Sequence, residues 1–123
     1  MPNSHKTILI VDDSALIVKR LVDMITELGQ LGWIKTTDNY KEALYIAETE
    51  KPTVLLLDIN LPGISGIEIL RRVKEKAPEV KIIMITNQAN DYYRKLCLRL
   101  GADHFIDKSK EFEQIATIIS GLE

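Results

Sequence analysis

Three short, unbroken apolar runs constrain this chain more than anything else in it: residues 7–11 (TILIV), 53–57 (TVLLL) and 81–85 (KIIMI). A strand with one wetted face alternates apolar and polar side chains, whereas a strand covered on both faces does not. These runs therefore read as central strands of a parallel sheet. Parallel neighbours need long crossovers, and the segments between the runs have helical periodicity. After Asp13, the residues Val18, Leu21, Val22, Ile25 and Leu28 recur on one helical face, and Gly29 supplies a stop. Residues 41–51, 66–77, 91–100 and 111–120 repeat the pattern, with Phe112, Ile115, Ala116 and Ile119 marking one face of the last. The more polar stretch 32–37 (GWIKTT), carrying Lys35, suits an edge strand, and 104–106 (HFI) a short fifth strand.

Strand and helix thus alternate five times. Right-handed crossovers place helices on both faces, so the expected fold is a doubly wound α/β sheet, (βα)5, with the flavodoxin-like strand order 2-1-3-4-5. At 123 residues, 46% hydrophobic and 28% charged, the chain suits one domain spanning residues 1–123. A net charge of −2 provides no electrostatic drive toward nucleic acid, so no direct nucleic-acid partner is expected. No stretch approaches the ~18 apolar residues of a spanning helix, and the polar start (MPNSHK) resembles no signal peptide; no membrane insertion and a cytoplasmic address are expected. Cys97 is the single cysteine, which excludes an internal disulfide and a thiolate metal cage and leaves it as a small core residue.

In such sheets ligands bind at the carboxyl ends of the strands, beside the point where strand order reverses. The predicted strands end there in Asp12 and Asp13, in Asp58, in Thr86, and in Lys108 just past the fifth. Taken singly, each has an ordinary structural use. Asp13 or Ser14 can N-cap the first helix, Asp58 can open a turn, Thr86 can end a strand, and Lys108 can be a solvated lysine. Taken together they are harder to explain, because carboxylates held about 4 Å apart repel by roughly 1 to 4 kcal/mol per pair. Lys108 offsets part of this. A hard divalent ion such as Mg²⁺, which accepts one or two carboxylates and uses phosphate oxygens for the rest, would offset more. A carboxylate so placed can act as a nucleophile toward phosphorus.

The segments ILIVDDS, LLLDINLPGISG, IIMIT and GADHFIDK together resemble the receiver domain of bacterial two-component response regulators, over nearly the whole chain. A stand-alone receiver of the chemotaxis and sporulation-phosphorelay kind is the expectation, on the reading that no effector segment follows. The resemblance implies that Asp58 is the phosphoacceptor. It implies Asp13, Asp58 and the backbone carbonyl of Asn60 as Mg²⁺ ligands, with Asp12 acting through water. Lys108 would pair with the phosphoryl oxygens and the Thr86 hydroxyl would hydrogen-bond one of them. Thr86 and Phe105 would form the switch that carries the phosphorylated state to the face made by the fourth helix, fifth strand and fifth helix. The implied partners are a sensor histidine kinase or histidine phosphotransfer protein and a downstream protein target, with residues 14–17 beside the approach of the donor. On the fourth helix, Tyr93, Leu96, Cys97 and Leu100 form the inner face, and Leu98 lies outside.

Three positions depart from the family pattern. Asn87 stands where receivers carry a small residue, Ser109 follows Lys108 where they carry proline, and Gln88 occupies a position associated with phosphoryl lifetime. Ser109 removes the chemical basis for a cis peptide bond after Lys108. Competing readings fare worse. A flavodoxin needs hydroxyls and glycine in its first loop, where this chain has VDDSAL, and a phosphatase of the haloacid dehalogenase type resembles D-x-D rather than adjacent acids. A pseudo-receiver that binds proteins without phosphorylation is the remaining alternative, although such domains typically lack one of the acids or the lysine.

Overall fold

The computed structural model describes residues 5–29, 31–87 and 89–122, so Gln88 lies outside the described residues. The elements are β1 (Lys6–Val11), α1 (Ala15–Leu28), β2 (Leu31–Thr37), α2 (Tyr40–Glu50), β3 (Val54–Asp58), β4 (Asn60–Leu61), β5 (Ile64–Ser65), α3 (Gly66–Lys76), β6 (Lys81–Thr86), α4 (Asp91–Arg99), β7 (His104–Asp107) and α5 (Gln114–Ser120). Five of the strands form one parallel sheet in the order β2-β1-β3-β6-β7. Setting aside the small β4–β5 hairpin, this is the expected 2-1-3-4-5 order, with the Lys35 strand on one edge and the short strand on the other.

The apolar runs are buried as a two-sided strand requires. Every residue of β3 is buried, as are the last four of β1 and the last five of β6. Within these runs alternate residues still face opposite ways. Leu9, Val11, Leu55, Leu57, Ile82 and Met84 pack toward α2, α3 and α4, with Cys97 among them. Ile8, Ile10, Val54, Leu56, Ile83 and Ile85 pack toward α1 and α5, against Leu21, Ile25, Ile115 and Ile119. Burial pushes the Cys97 thiol up to about 11, so this cysteine is an inert core group as its sequence context implied.

Helix starts follow local chemistry. Ser14, not Asp13, caps α1, its Oγ accepting from Ile17 N–H; Asn39, Ser65 and Asn90 cap α2, α3 and α4 in the same manner. Gly29, at φ +75°, ends α1. The one sizeable displacement from expectation is α5, which begins at Gln114 rather than Glu111. Its would-be first turn is consumed by a loop in which Glu111 Oε1 accepts the Asp107 N–H at 3.0 Å and Glu111 N–H donates to the Asp107 carbonyl at 2.9 Å. The β4–β5 hairpin was not anticipated. Two residues per strand give no readable alternation, although the Pro62–Gly63 pair that turns it, with Gly63 at φ +82°, was visible. On α4 Cys97 is buried, Tyr93, Leu96 and Leu100 are half-buried, and Leu98 is exposed, as the helical wheel implied.

Candidate phosphoacceptor and metal site

The parallel register brings the ends of β1, β3, β6 and β7 to one rim. Val11 pairs with Leu57, Asp58 with Ile85, and Thr86 with Asp107, so Asp12 and Lys108 each fall one residue beyond a strand end, beside Asp58. Asp12, Asp58, Thr86 and Lys108 are buried, while Asp13 and Asn60 are exposed at the mouth. One carboxylate oxygen from each of Asp12, Asp13 and Asp58 lies within 4.8 Å of the other two. The sequence-predicted acids and the lysine are therefore assembled in one place.

Backbone packing holds Asp58. Its Oδ1 accepts the Asn60 N–H at 3.2 Å, and Ile59 N–H donates to the Ile85 carbonyl at 3.3 Å, continuing the ladder past the strand end. Gly66 N–H then donates to the Ile59 carbonyl at 2.7 Å, folding the 60–65 hairpin back over the aspartate. The return is so tight that a Cβ at Gly66 would lie 2.0 Å from the Asp58 carbonyl oxygen. Only glycine permits this approach. In the sequence Gly66 reads only as a helix start; the one signal of its second role is a glycine directly after the N-cap Ser65, where a stronger helix former would otherwise be expected.

Charge in the pocket is unbalanced. Lys108 Nζ lies 2.6 Å from Asp12 Oδ2 and 3.3 Å from Asp58 Oδ2, so one ammonium faces two buried acids. Asp12 Oδ1 accepts the Ser14 N–H at 2.8 Å. Asp12 Oδ2, in contrast, relies on the Lys108 ammonium alone among the described residues, and that ammonium is shared with Asp58. Burial raises the pKa of Asp58 above its ordinary value; the nearby Asp12 charge adds to this, and Lys108 and the Asn60 N–H only partly oppose it. Three clustered acids, two of them buried and sharing a single ammonium, are the environment a hard, oxygen-seeking cation would complete.

Thr86 ends β6 fully buried, and Lys108 N–H donates to its carbonyl at 2.9 Å, so the two are joined through the backbone. Phe105 is buried on β7 beneath the Arg94 guanidinium, whose carbon lies 4.9 Å from the ring centroid. Asn87 is exposed and borders a groove of about 470 Å³ with Lys108, Ser109 and residues of α1. The described peptide bonds are all trans, including that between Lys108 and Ser109. Ser109 instead contributes an N–H, donated to Asp107 Oδ1 at 2.8 Å, which proline could not supply.

Residues 8–120 match the response regulator receiver domain family. The chain belongs to this family. Among its relatives, the alkaline phosphatase synthesis transcriptional regulatory protein PhoP of Bacillus subtilis is 36% identical over 104 residues, covering 85% of this chain and 42% of that protein. The nitrate/nitrite response regulator NarL of Escherichia coli is 30% identical over 112 residues, covering 89% of this chain and 50% of that protein. The receiver therefore spans about half the length of the curated relatives it matches. Among solved structures, the response regulator domain of Thermotoga maritima CheB superposes with a TM-score of 0.81 at 30% identity, over 94% of this chain and 90% of that one. Receivers are signalling phosphoacceptors rather than conventional enzymes, usually bind Mg²⁺ at an acidic pocket, and interact with histidine kinases or phosphotransfer proteins. Among the described residues, no helix is long and apolar enough to cross a membrane.

Proposed function

We propose that residues 1–123 act as a single receiver unit that takes a phosphoryl group onto Asp58 from a phosphohistidine of a sensor kinase or phosphotransfer protein, in the cytoplasm. The observation that carries this reading is the pocket's charge imbalance: three clustered acids share one lysine ammonium, which lies 2.6 Å from Asp12 and 3.3 Å from Asp58. Asp13, Asp58 and the Asn60 carbonyl are the proposed Mg²⁺ ligands, with Asp12 behind them. When bound, the ion would neutralise the acids and draw phosphoryl oxygens toward the pocket.

The chain's own residues do the rest. An Asp58 carboxylate oxygen attacks phosphorus, the P–N bond breaks, and its electron pair leaves on the imidazole nitrogen. Rigid β3 and the Gly66 return hold that oxygen in place, which is where a reaction with so little covalent chemistry for the protein finds its catalysis. Lys108 pairs with the added charge, and the Thr86 hydroxyl turns toward a phosphoryl oxygen. The new charge and acceptors bias Thr86 and Phe105 and so the face presented to a downstream protein. Water later attacks the acyl phosphate, returning the carboxylate and releasing inorganic phosphate.

Intact-mass analysis after incubation with Mg²⁺ and a phosphodonor tests this. One phosphoryl adduct should form on the wild type, vanish in Asp58→Ala, and vanish on chelation of Mg²⁺. Labelling that survives Asp58→Ala, or a wild type unlabelled by both cognate kinase and small donor, overturns the assignment.

A further inference from the structure

The loop that carries Lys108 is held by an unusual concentration of side-chain acceptors. Asp107 Oδ1 accepts two backbone N–H groups, from Ser109 at 2.8 Å and Lys110 at 3.2 Å, wrapping the chain around Lys108. Glu111 Oε1 reaches back to accept the Asp107 N–H at 3.0 Å. Arg94, on α4, lies 3.5 Å from that same Glu111 oxygen through Nη2 and donates from Nη1 to the Phe105 carbonyl at 3.2 Å. Residues 107–111 are thus fixed by carboxylates at both ends and by a guanidinium from the neighbouring helix. None of these groups touches Asp58, yet together with the Thr86 carbonyl, which accepts the Lys108 N–H at 2.9 Å, they fix where the Lys108 backbone sits.

We propose that Asp107 and Glu111 are positioning residues for phosphoryl transfer: their carboxylate oxygens, with Arg94, hold the loop so that the Lys108 ammonium reaches Asp58. This rests on Asp58 being the phosphoacceptor. A lysine bears three rotatable bonds beyond Cβ that end in a compact charge, so its reach depends on where its backbone is anchored. Lys108 Nζ is 3.3 Å from Asp58 Oδ2, and a loop displaced by about 1 Å would cost a large factor in rate. What the role requires is an acceptor oxygen at each position, not a negative charge.

Labelling rates with Mg²⁺ and a small acyl phosphate, measured beside Mg²⁺ affinity by calorimetry, test the assignment. Asp107→Ala should slow labelling about tenfold with Mg²⁺ affinity unchanged within about twofold, because the metal-facing acids are untouched. Asp107→Asn, which keeps the acceptor oxygen, should recover the rate to within about threefold of wild type. Glu111→Ala and Glu111→Gln form a second pair, farther from the pocket, with the same expected order and serving if Asp107→Ala does not fold. The proposal is overturned if both alanine variants label at the wild-type rate, if the amide variants fall as far as the alanines, or if Mg²⁺ affinity falls in step with rate. A wild type that never labels would instead overturn the phosphoacceptor reading itself.

Discussion

Two lysine–aspartate contacts sit at opposite ends of the sheet, and they are built to opposite ends. At the amino end, Lys74 Nζ donates to the Val80 carbonyl at 2.9 Å, to Asp103 Oδ2 at 3.1 Å and to the Pro78 carbonyl at 3.4 Å, using all three of its hydrogens. Asp103 Oδ2 also accepts the Ile82 N–H at 2.9 Å. Burial pushes the Asp103 pKa up, but the Ile82 N–H and Lys74 outweigh it and hold the group below its ordinary value. At the carboxyl rim, Lys108 faces both Asp12 and Asp58, and Asp58 is raised instead. The residue types are the same. What differs is the ratio of acids to donors: the amino-end pair is complete in itself, whereas the rim pocket lacks positive charge and so has use for an added cation.

The largest expected effect contrasts the backbone at the two ends. Gly66→Ala places a Cβ 2.0 Å from the Asp58 carbonyl oxygen, where no flexible side chain can yield, and should cost about 3 kcal/mol in urea unfolding together with loss of Asp58 labelling. Gly101→Ala meets only the flexible Lys74 side chain, with Cγ nearest at 3.2 Å, but sits at φ +108°; about 1 kcal/mol should be lost there, with labelling intact. Equal losses at both glycines would erase the distinction between a rim built on close backbone approach and an ordinary turn.

Removing the lysines tests the charge argument directly. Lys74→Ala should cost about 2 kcal/mol whether or not Mg²⁺ is present. Lys108→Ala should cost about as much without the ion but recover most of it with Mg²⁺, and should bind Mg²⁺ more tightly because a competing cation is gone. Thermal unfolding with and without Mg²⁺ separates the two. A Lys108→Ala variant as indifferent to Mg²⁺ as Lys74→Ala would break the comparison.

The smallest effect is one of sign. Because folding raises the pKa of Asp58, its ionised form at neutral pH costs stability. That cost is absent below the ordinary aspartate value of 3.8 and develops as pH rises through the folded pKa. Asp58→Asn should therefore raise Tm slightly at neutral pH without Mg²⁺, and the gain should fade in acid. Asp103 is lowered, so it contributes stability above the ordinary value and loses it as pH falls through its folded pKa. Asp103→Asn should lower Tm at neutral pH, with the difference again fading in acid. Differences of the same sign would show that the two pockets are electrostatically alike.

Much of this architecture was legible from residue pattern alone. Two-sided apolar runs can only be buried between helices, which is why the layering and the assembly of Asp12, Asp13, Asp58 and Lys108 on one rim followed from periodicity and strand ends, with the strand order taken as a common solution for that architecture. The hairpin at 60–65 and the late start of α5 did not follow. The hairpin has too few residues to show a period, and the helical turn expected from Glu111 is undone by hydrogen bonds to Asp107 that depend on where the loop lies. Gly66 was visible as a letter but not as a contact.

By itself, the sequence determined the layering of the fold and the side chains at the carboxyl ends of its strands, because periodicity and chain direction are local properties. Tertiary structure alone decided that one ammonium, that of Lys108, serves both buried acids, and that Asp107 and Glu111 brace the loop carrying it. Whether a buried polar atom is satisfied depends on distances of a few tenths of an ångström between residues far apart in the chain, and no residue pattern records those distances.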